Sequence, residues 1–238
     1  LLSVEKAWVP EGEKNSLYIR PISFALDPYI GIKPADNYKF MIICGMAGGY
    51  YSEPVNVKIE THYTRAVSGG VGFSKTAANY AAALYPAVEA QKDGYHQLIW
   101  TDGKSHEFVE ESGTMNLFFV INNQLVTPPL GDTVLDGVTR DSIIHLSKIL
   151  NIDVDVRKVS VKEVISSLES GSMSEAFGAG TAATIAPIKS IGYNNKKYNL
   201  PEISEKSISN TLLNKLSNIK FGRELTELNW LKKISKWT

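Results

Sequence analysis

The chain has 238 residues, 43% of them hydrophobic and 21% charged, and its 25 basic and 25 acidic side chains cancel. That length can bury the core of one large domain or somewhat more, and zero net charge offers nucleic acid or an anionic membrane surface no electrostatic handle. No apolar run approaches the ~20 residues of a spanning helix, and Cys44, the single cysteine, excludes an internal disulfide and fits a reducing compartment, the cytoplasm. Leu1 is not a Met, and the first ten residues carry no signal-peptide pattern, so the chain reads as a fragment from which targeting cannot be read.

In chain order, Ser16 to Ala25 and Lys39 to Gly45 are short β-branched or aromatic runs and predict strands. Residues 45–54, with three glycines and a proline, predict a linker, and Val55 to Thr61 alternates as a strand does. Ala77 to Lys92 predicts a helix that stops at Asp93-Gly94. Tyr95 to Trp100 predicts a strand, and Met115 to Ile121 with Gln124 to Val126 a hairpin turning at Asn122-Asn123. A helix over Arg140 to Leu150, a strand over Ile152 to Val156, a helix over Val161 to Ser170 and a strand over Glu175 to Gly178 follow. A β-rich stretch turning at Asn194-Asn195 and a helix over Ser204 to Ser217 close the chain. Alternating strands and helices with several hairpins give an α/β or α+β class with a mixed sheet.

Four features carry chemistry. Lys75 lies in the glycine-rich run Gly69 to Tyr80, with no charge in the seven residues after it, a setting that can desolvate an amine and lower its pKa. Glu111 stands one turn from the apolar strand that starts at Met115, where a carboxylate calls for a cationic partner; its neighbour Glu110 reads as a solvated loop residue. Gly137-Val138-Thr139-Arg140 precedes a helix, with Thr139 as N-cap, and Gly178-Ala179-Gly180-Thr181-Ala182 follows a strand; both offer backbone N–H groups to a phosphate. One amine, one isolated carboxylate and two Thr-bearing turns are the groups that pyridoxal phosphate needs. The four histidines show no metal spacing, and neither Ser112 nor Ser172 has a Ser-His-Asp setting.

Glu111-x-Gly-x-x-Asn116-Leu-Phe, Leu125-x-Thr127 and Leu135-x-Gly137-Val138-x-Arg140 together resemble the signature of the class IV pyridoxal-phosphate aminotransferases. Ser16-Leu17-Tyr18-Ile19-Arg20-Pro21, Lys75 with Asn79-Tyr80, and Phe221-Gly222-Arg223-Glu224 are similar to the branched-chain amino acid aminotransferases among them, from Trp8 to about Trp230. The resemblance implies a mixed α/β fold with a large pyridoxal-phosphate domain, a mixed sheet or pseudo-barrel, over residues 60–238. Residues 48–59 would be linker and first strand, and 1–47 the last part of a smaller α/β domain whose remainder is missing. It implies transamination of leucine, isoleucine and valine with 2-oxoglutarate through an internal aldimine on Lys75. Glu111 would face the pyridine nitrogen, Tyr80 the ring hydroxyl and Leu135 the ring face. Arg65, Val138, Thr139 and Thr181 would hold the phosphate, with Asn116 in the same cofactor set. Tyr18 and Arg20 would meet the carboxylate of glutamate or 2-oxoglutarate, Tyr50 the aliphatic side chain, and Thr114 with Ala182 the α-carboxylate. Ala179 stands where many relatives have Ser, and a homodimer is implied. A D-amino acid aminotransferase, an aminodeoxychorismate lyase, or a truncated subunit that binds cofactor without turnover are the alternatives.

Overall fold

Ser16–Ala25 (β1) and Tyr38–Ala47 (β2) pair as an antiparallel ribbon, with Tyr18 opposite Gly45 and Arg20 opposite Ile43. This computed structural model describes residues 1–2, 4–12, 15–48, 53–224 and 227–232. The chain divides into two compact units, residues 1–50 with 227–238, and residues 51–226. In the first, the ribbon shows large apolar side chains to solvent, Tyr38 at 60% and Phe40 at 66% exposure. Its second strand runs into the stretch expected as a linker, because Met46 and Ala47 complete the register with Leu17 and Ser16.

The second unit is built on strands Val55–Ile59 (β3), Gln97–Thr101 (β4), Phe108–Ser112 (β5), Met115–Ile121 (β6) and Gln124–Thr127 (β7). It continues with Val154–Val156 (β8), Val159–Ser160 (β9), Met173–Gly180 (β10), Thr184–Tyr193 (β11) and Lys196–Asn199 (β12). Four helices accompany them among the described residues: Ala77–Lys92 (α1), Val138–Ile149 (α2), Val161–Ser170 (α3) and Ile208–Lys220 (α4). Strand pairing runs β6–β10–β11–β3–β4–β5, and β5 pairs again with β6, so the sheet closes into a barrel-like ring. The β11–β3 and β3–β4 pairs are parallel and the other ring pairs antiparallel, which makes the sheet mixed.

The closed ring explains the sequence of β6. Every residue from Met115 to Ile121 is buried, so the strand reads as a continuous apolar run rather than an alternating one. Leu117, Phe119 and Ile121 join Val55, Val57, Ile59 and Ile99 in the main core, while Phe118 stacks on Phe177 with centroids 5.1 Å apart. Asn122-Asn123 and Asn194-Asn195 all have positive φ, as the expected two-residue hairpin turns require. Among the described residues no helix is long and apolar enough to cross a membrane.

Three local expectations change. Glu110, expected in a loop, and Glu111, expected one turn from a strand, both lie in β5, where pairing to β4, β6 and β9 overrides the low strand preference of two carboxylates. Gly178 and Gly180 belong to β10 itself, and the turn begins only at Thr181; Gly178 is small because Met115 packs over it. Helix α4 begins at Ile208, not at Ser204, since the buried Glu175 carboxylate accepts the Ile208 and Ser209 N–H groups at 2.7 and 2.9 Å and so sets the first turn.

Candidate active site

The glycine-rich run folds onto the loop between β7 and α2. A Cβ at Gly72 would stand 2.7 Å from the Asp132 carbonyl oxygen and 2.8 Å from Thr133 Cα, so only glycine allows this approach. Phe73 N–H donates to the Asp132 carbonyl at 3.0 Å, Gly69 N–H to Asp132 Oδ2 at 2.9 Å, and Asn79 Nδ2 to Val71 and Ser74 carbonyls at 2.8 Å. These bonds deliver Lys75 to the start of α1, with Tyr80 one turn on and its hydroxyl 3.5 Å from Lys75 Nζ. From the other side β5 contributes Glu111. Gly113, at φ +56°, makes the turn into β6 where Gln97 leaves no room for a side chain.

Lys75, Tyr80, Arg65, Glu111, Leu135 and Thr114 line one cavity of about 220 Å³, floored by Ala83, Leu98 and Trp100. Six of the residues singled out in the sequence thus converge, although Lys75 and Thr114 lie 39 positions apart. Glu111 is 4% exposed. Its Oε1 pairs with Arg65 Nη2 at 3.0 Å and its Oε2 accepts Leu135 N–H at 3.1 Å. Burial pushes the Glu111 carboxyl up to about 7, against the opposing pull of Arg65 and the Leu135 N–H. Glu110 points the other way, its Oε1 accepting from Thr133 Oγ1 at 2.6 Å, and burial raises it too.

Val138, Thr139, Thr181 and Ala182 do not themselves line this cavity; their two turns connect to its lining residues through β6. Asn116 Nδ2 donates to the Leu135 carbonyl at 2.8 Å and its Oδ1 abuts Gly137, which leads directly into Val138 and Thr139. Ala179 pairs with Asn116, and Gly180 lies against the Thr114 carbonyl, so Thr181 and Ala182 follow at the same end of β6. Gly137, not Thr139, is the N-cap of α2: the chain has turned into the helix by Val138, leaving Thr139 inside the first turn. No side chain caps that turn, and Arg140 behind it anchors to the Pro128 carbonyl at 2.9 Å.

Other residues stand differently from expectation. Lys75 is exposed rather than desolvated, and Tyr80 is 41% exposed, because glycine and alanine behind them provide no bulk to cover the amine. The Arg65 guanidinium, expected on a phosphate, is turned to Glu111 and to the Gly72 and Thr133 carbonyls. Tyr18 and Arg20 hydrogen-bond each other on the exposed ribbon of the other unit, the guanidinium 5.0 Å from the Tyr18 ring centre. Tyr50 lies outside the described residues. The sequence did not single out Trp100, whose buried indole Nε1 has no partner among the described residues; a Trp in a short apolar strand carries no signal that it will line a site.

Comparison with known proteins gives the family and the fold. The class IV amino-transferase family matches residues 10–191. A probable branched-chain-amino-acid aminotransferase of Staphylococcus epidermidis is 39% identical over 241 residues, covering 100% of this chain and 67% of that protein. Branched-chain-amino-acid aminotransferase 2 of Bacillus subtilis is 37% identical over 241 residues, covering 100% of this chain and 66% of that protein. The branched-chain amino acid aminotransferase of Escherichia coli superposes with a TM-score of 0.77 at 27% identity, over 92% of this chain and 70% of that one. The chain therefore spans about two thirds of the length of such relatives. It belongs to the class IV amino-transferase family.

Proposed function

We propose that the chain carries the catalytic site of a pyridoxal-phosphate-dependent branched-chain amino acid aminotransferase, exchanging the amino group of leucine, isoleucine or valine with 2-oxoglutarate to give branched 2-oxo acids and L-glutamate. The observation that carries the reading is the single cavity shared by Lys75, Tyr80, Arg65, Glu111 and Leu135. Its donor set suits the cofactor: an amine, a phenol and a buried carboxylate already partly neutralised, with a buried Arg65 Nε that has no partner among the described residues. Bound there, pyridoxal phosphate supplies an electrophilic carbon for the amine and an electron sink for the substrate Cα.

Glu111 would pair with the ring nitrogen and keep it protonated. Tyr80 would donate to the ring hydroxyl and Leu135 would pack on the ring. Backbone N–H groups of Val138 and Thr139 at the uncapped start of α2, with Thr181, receive the phosphate, where the helix dipole favours an anion. With the cofactor held through Lys75 Nζ, that amine would be the base that takes the substrate Cα proton and the acid that delivers it onward within the same half-reaction. Thr114 and Ala182 meet the α-carboxylate. Tyr18 and Arg20 take the second carboxylate of glutamate, supported by a guanidinium already joined to a phenol on an exposed strand. Residues 1–47 then belong to a substrate-side domain and 60–238 to the cofactor domain. Leu84, Tyr85 and Val88 leave an apolar outer face on α1, 65%, 61% and 48% exposed, which supports a homodimer. Cys44, unpaired, supports a reducing compartment such as the cytoplasm.

The test is transamination of leucine with 2-oxoglutarate, read as glutamate formed, beside the visible absorbance of the lysine-bound cofactor. Lys75→Ala is expected to lose both. Retention of that absorbance by Lys75→Ala sinks the lysine assignment, and a chain that binds cofactor yet never converts leucine is a non-catalytic binder.

A further inference from the structure

We infer that Arg65 is a positioning residue for Glu111, holding that carboxylate charged and aimed at the ring nitrogen, and not a ligand of the phosphate; this rests on the cofactor reading above. Both side chains are buried, 8% and 5% exposed, and meet at 3.0 Å between Arg65 Nη2 and Glu111 Oε1. The same nitrogen donates to the Thr133 carbonyl and, at 3.4 Å, to the Gly72 carbonyl. Leu135 N–H holds the other carboxylate oxygen at 3.1 Å. The plane of the carboxylate is thus fixed from two directions by one short loop.

That loop also fastens the lysine run. Asp132 accepts Phe73 N–H with its carbonyl and Gly69 N–H with its carboxylate, so Arg65 stands where the support of Glu111 and the support of Lys75 join. The Arg65 contacts to Glu111 and to the Thr133 and Gly72 carbonyls all run through Nη2, so the guanidinium is tied to the carboxylate and its supporting loop. A delocalised, planar, permanently charged group suits such a junction better than an ammonium would.

The electrostatics give Arg65 its task. Glu111 faces three charged or titratable groups: Arg65 in contact, Lys75 across the cavity, and Glu110 as its neighbour in β5, which repels it. Burial and Glu110 both favour the protonated carboxyl, and Arg65 is the strongest opposing charge. Without it the carboxyl would hold its proton at neutral pH and could not pair with a protonated ring nitrogen.

The experiment measures the protonation of Glu111 in the cofactor-free chain by infrared difference spectroscopy of the carboxyl band, assigned with Glu111→Gln. Alongside it, dissociation constants are measured for pyridoxal phosphate and for unphosphorylated pyridoxal. Arg65→Met is expected to raise the Glu111 midpoint by at least about one pH unit, a tenfold change in proton affinity. It should weaken both ligands by a similar factor, on the order of tenfold, with Arg65→Lys recovering part of each. An unmoved midpoint, with affinity lost for the phosphorylated ligand alone, overturns the inference in favour of a phosphate ligand. Should Arg65→Met fail to fold, the double variant Glu111→Gln/Arg65→Met decides. Folding restored by replacing the orphaned buried carboxyl supports the pairing, and a double variant no more stable than the single one overturns it. A parent chain that takes up no cofactor sinks the functional reading instead.

Discussion

In the proposed role Glu111 works under opposing demands: a carboxylate almost out of reach of water, next in sequence to a second one, would have to stay ionised to serve a cationic ring. Its folded-state value of about 7 lies above the ordinary 4.5, so its contribution to the stability of the cofactor-free chain is full below 4.5 and is lost as pH rises through 7. Glu111→Gln removes that component. Urea unfolding at pH 5 and pH 8 should therefore show a smaller drop in the variant than in the parent, even though Gln also strands the Arg65 charge and lowers stability at both pH values. An equal drop in both proteins would place the titrating group elsewhere. Tyr80, half-open to solvent at 41% exposure, carries little of the fold. Tyr80→Phe should keep the melting temperature and weaken cofactor binding about tenfold, the worth of one hydrogen bond, in a fluorescence titration. Lys75 was legible as a candidate from its small-residue neighbours, but Arg65 was not legible as the partner of Glu111: 46 positions separate them, and only the folding of the glycine run brings guanidinium and carboxylate to 3.0 Å.

At the level of elements, turns decide which residues face the cavity. The turn from β4 to β5 is built on Asp102, whose carboxylate accepts Ser105, Glu107 and Phe108 N–H groups at 2.7–2.8 Å and the Ser105 hydroxyl at 2.9 Å. Burial alone would raise Asp102, but these donors, that of Phe108 foremost, hold it at about 2, below the ordinary 3.8. The stability it confers is present above the ordinary value and fades as pH falls toward 2. Asp102→Ala should cost about 2 kcal/mol at pH 7. The cost should shrink on acidification, as guanidinium unfolding at pH 7 and near pH 2.5 would reveal. Because β5 begins six residues later, the same change should loosen Glu111 and reduce cofactor affinity. The helix α1 and strand β6 were legible to the residue and β7 up to its last residue, Thr127, since an Ala-rich run before Asp-Gly and an Asn-Asn pair between apolar runs admit few local alternatives. Strand β5 was hidden, because its paired carboxylates have low strand preference and its pairing with β4, β6 and the distant β9 is what overrides it.

The whole second unit depends on ring closure. Phe177 on β10 is fully buried and stacks nearly parallel on Phe118 of β6, with planes 10° apart, where these two strands pair. Phe177→Ala should cost about 3–5 kcal/mol and lower the melting temperature by roughly 10 °C. Because β10 carries Gly178, Gly180 and the start of the Thr181 turn, cofactor affinity should fall with it, whereas an equally destabilising change on α3 should leave affinity intact below the melting range. Calorimetry with a cofactor titration distinguishes these outcomes, and a Phe177→Ala chain that melts like the parent would show that the stacking carries no closure energy.

Local chemistry was enough to write down the parts: period and turn residues set helices and hairpins, and the uncharged setting around a lysine, with Thr-Gly turns downstream, pointed to the cofactor and offered Lys75 as its amine. Those are properties of a few neighbouring residues and survive without a fold. What tertiary structure alone decided is which charges touch. The pairing of Arg65 with Glu111, the opposite facing of Glu110, and the exposure of Lys75 follow from six strands closing on themselves and from a loop packed within van der Waals reach of Gly72. Burial and contact at that range depend on residues far apart in the chain, and no local pattern encodes them.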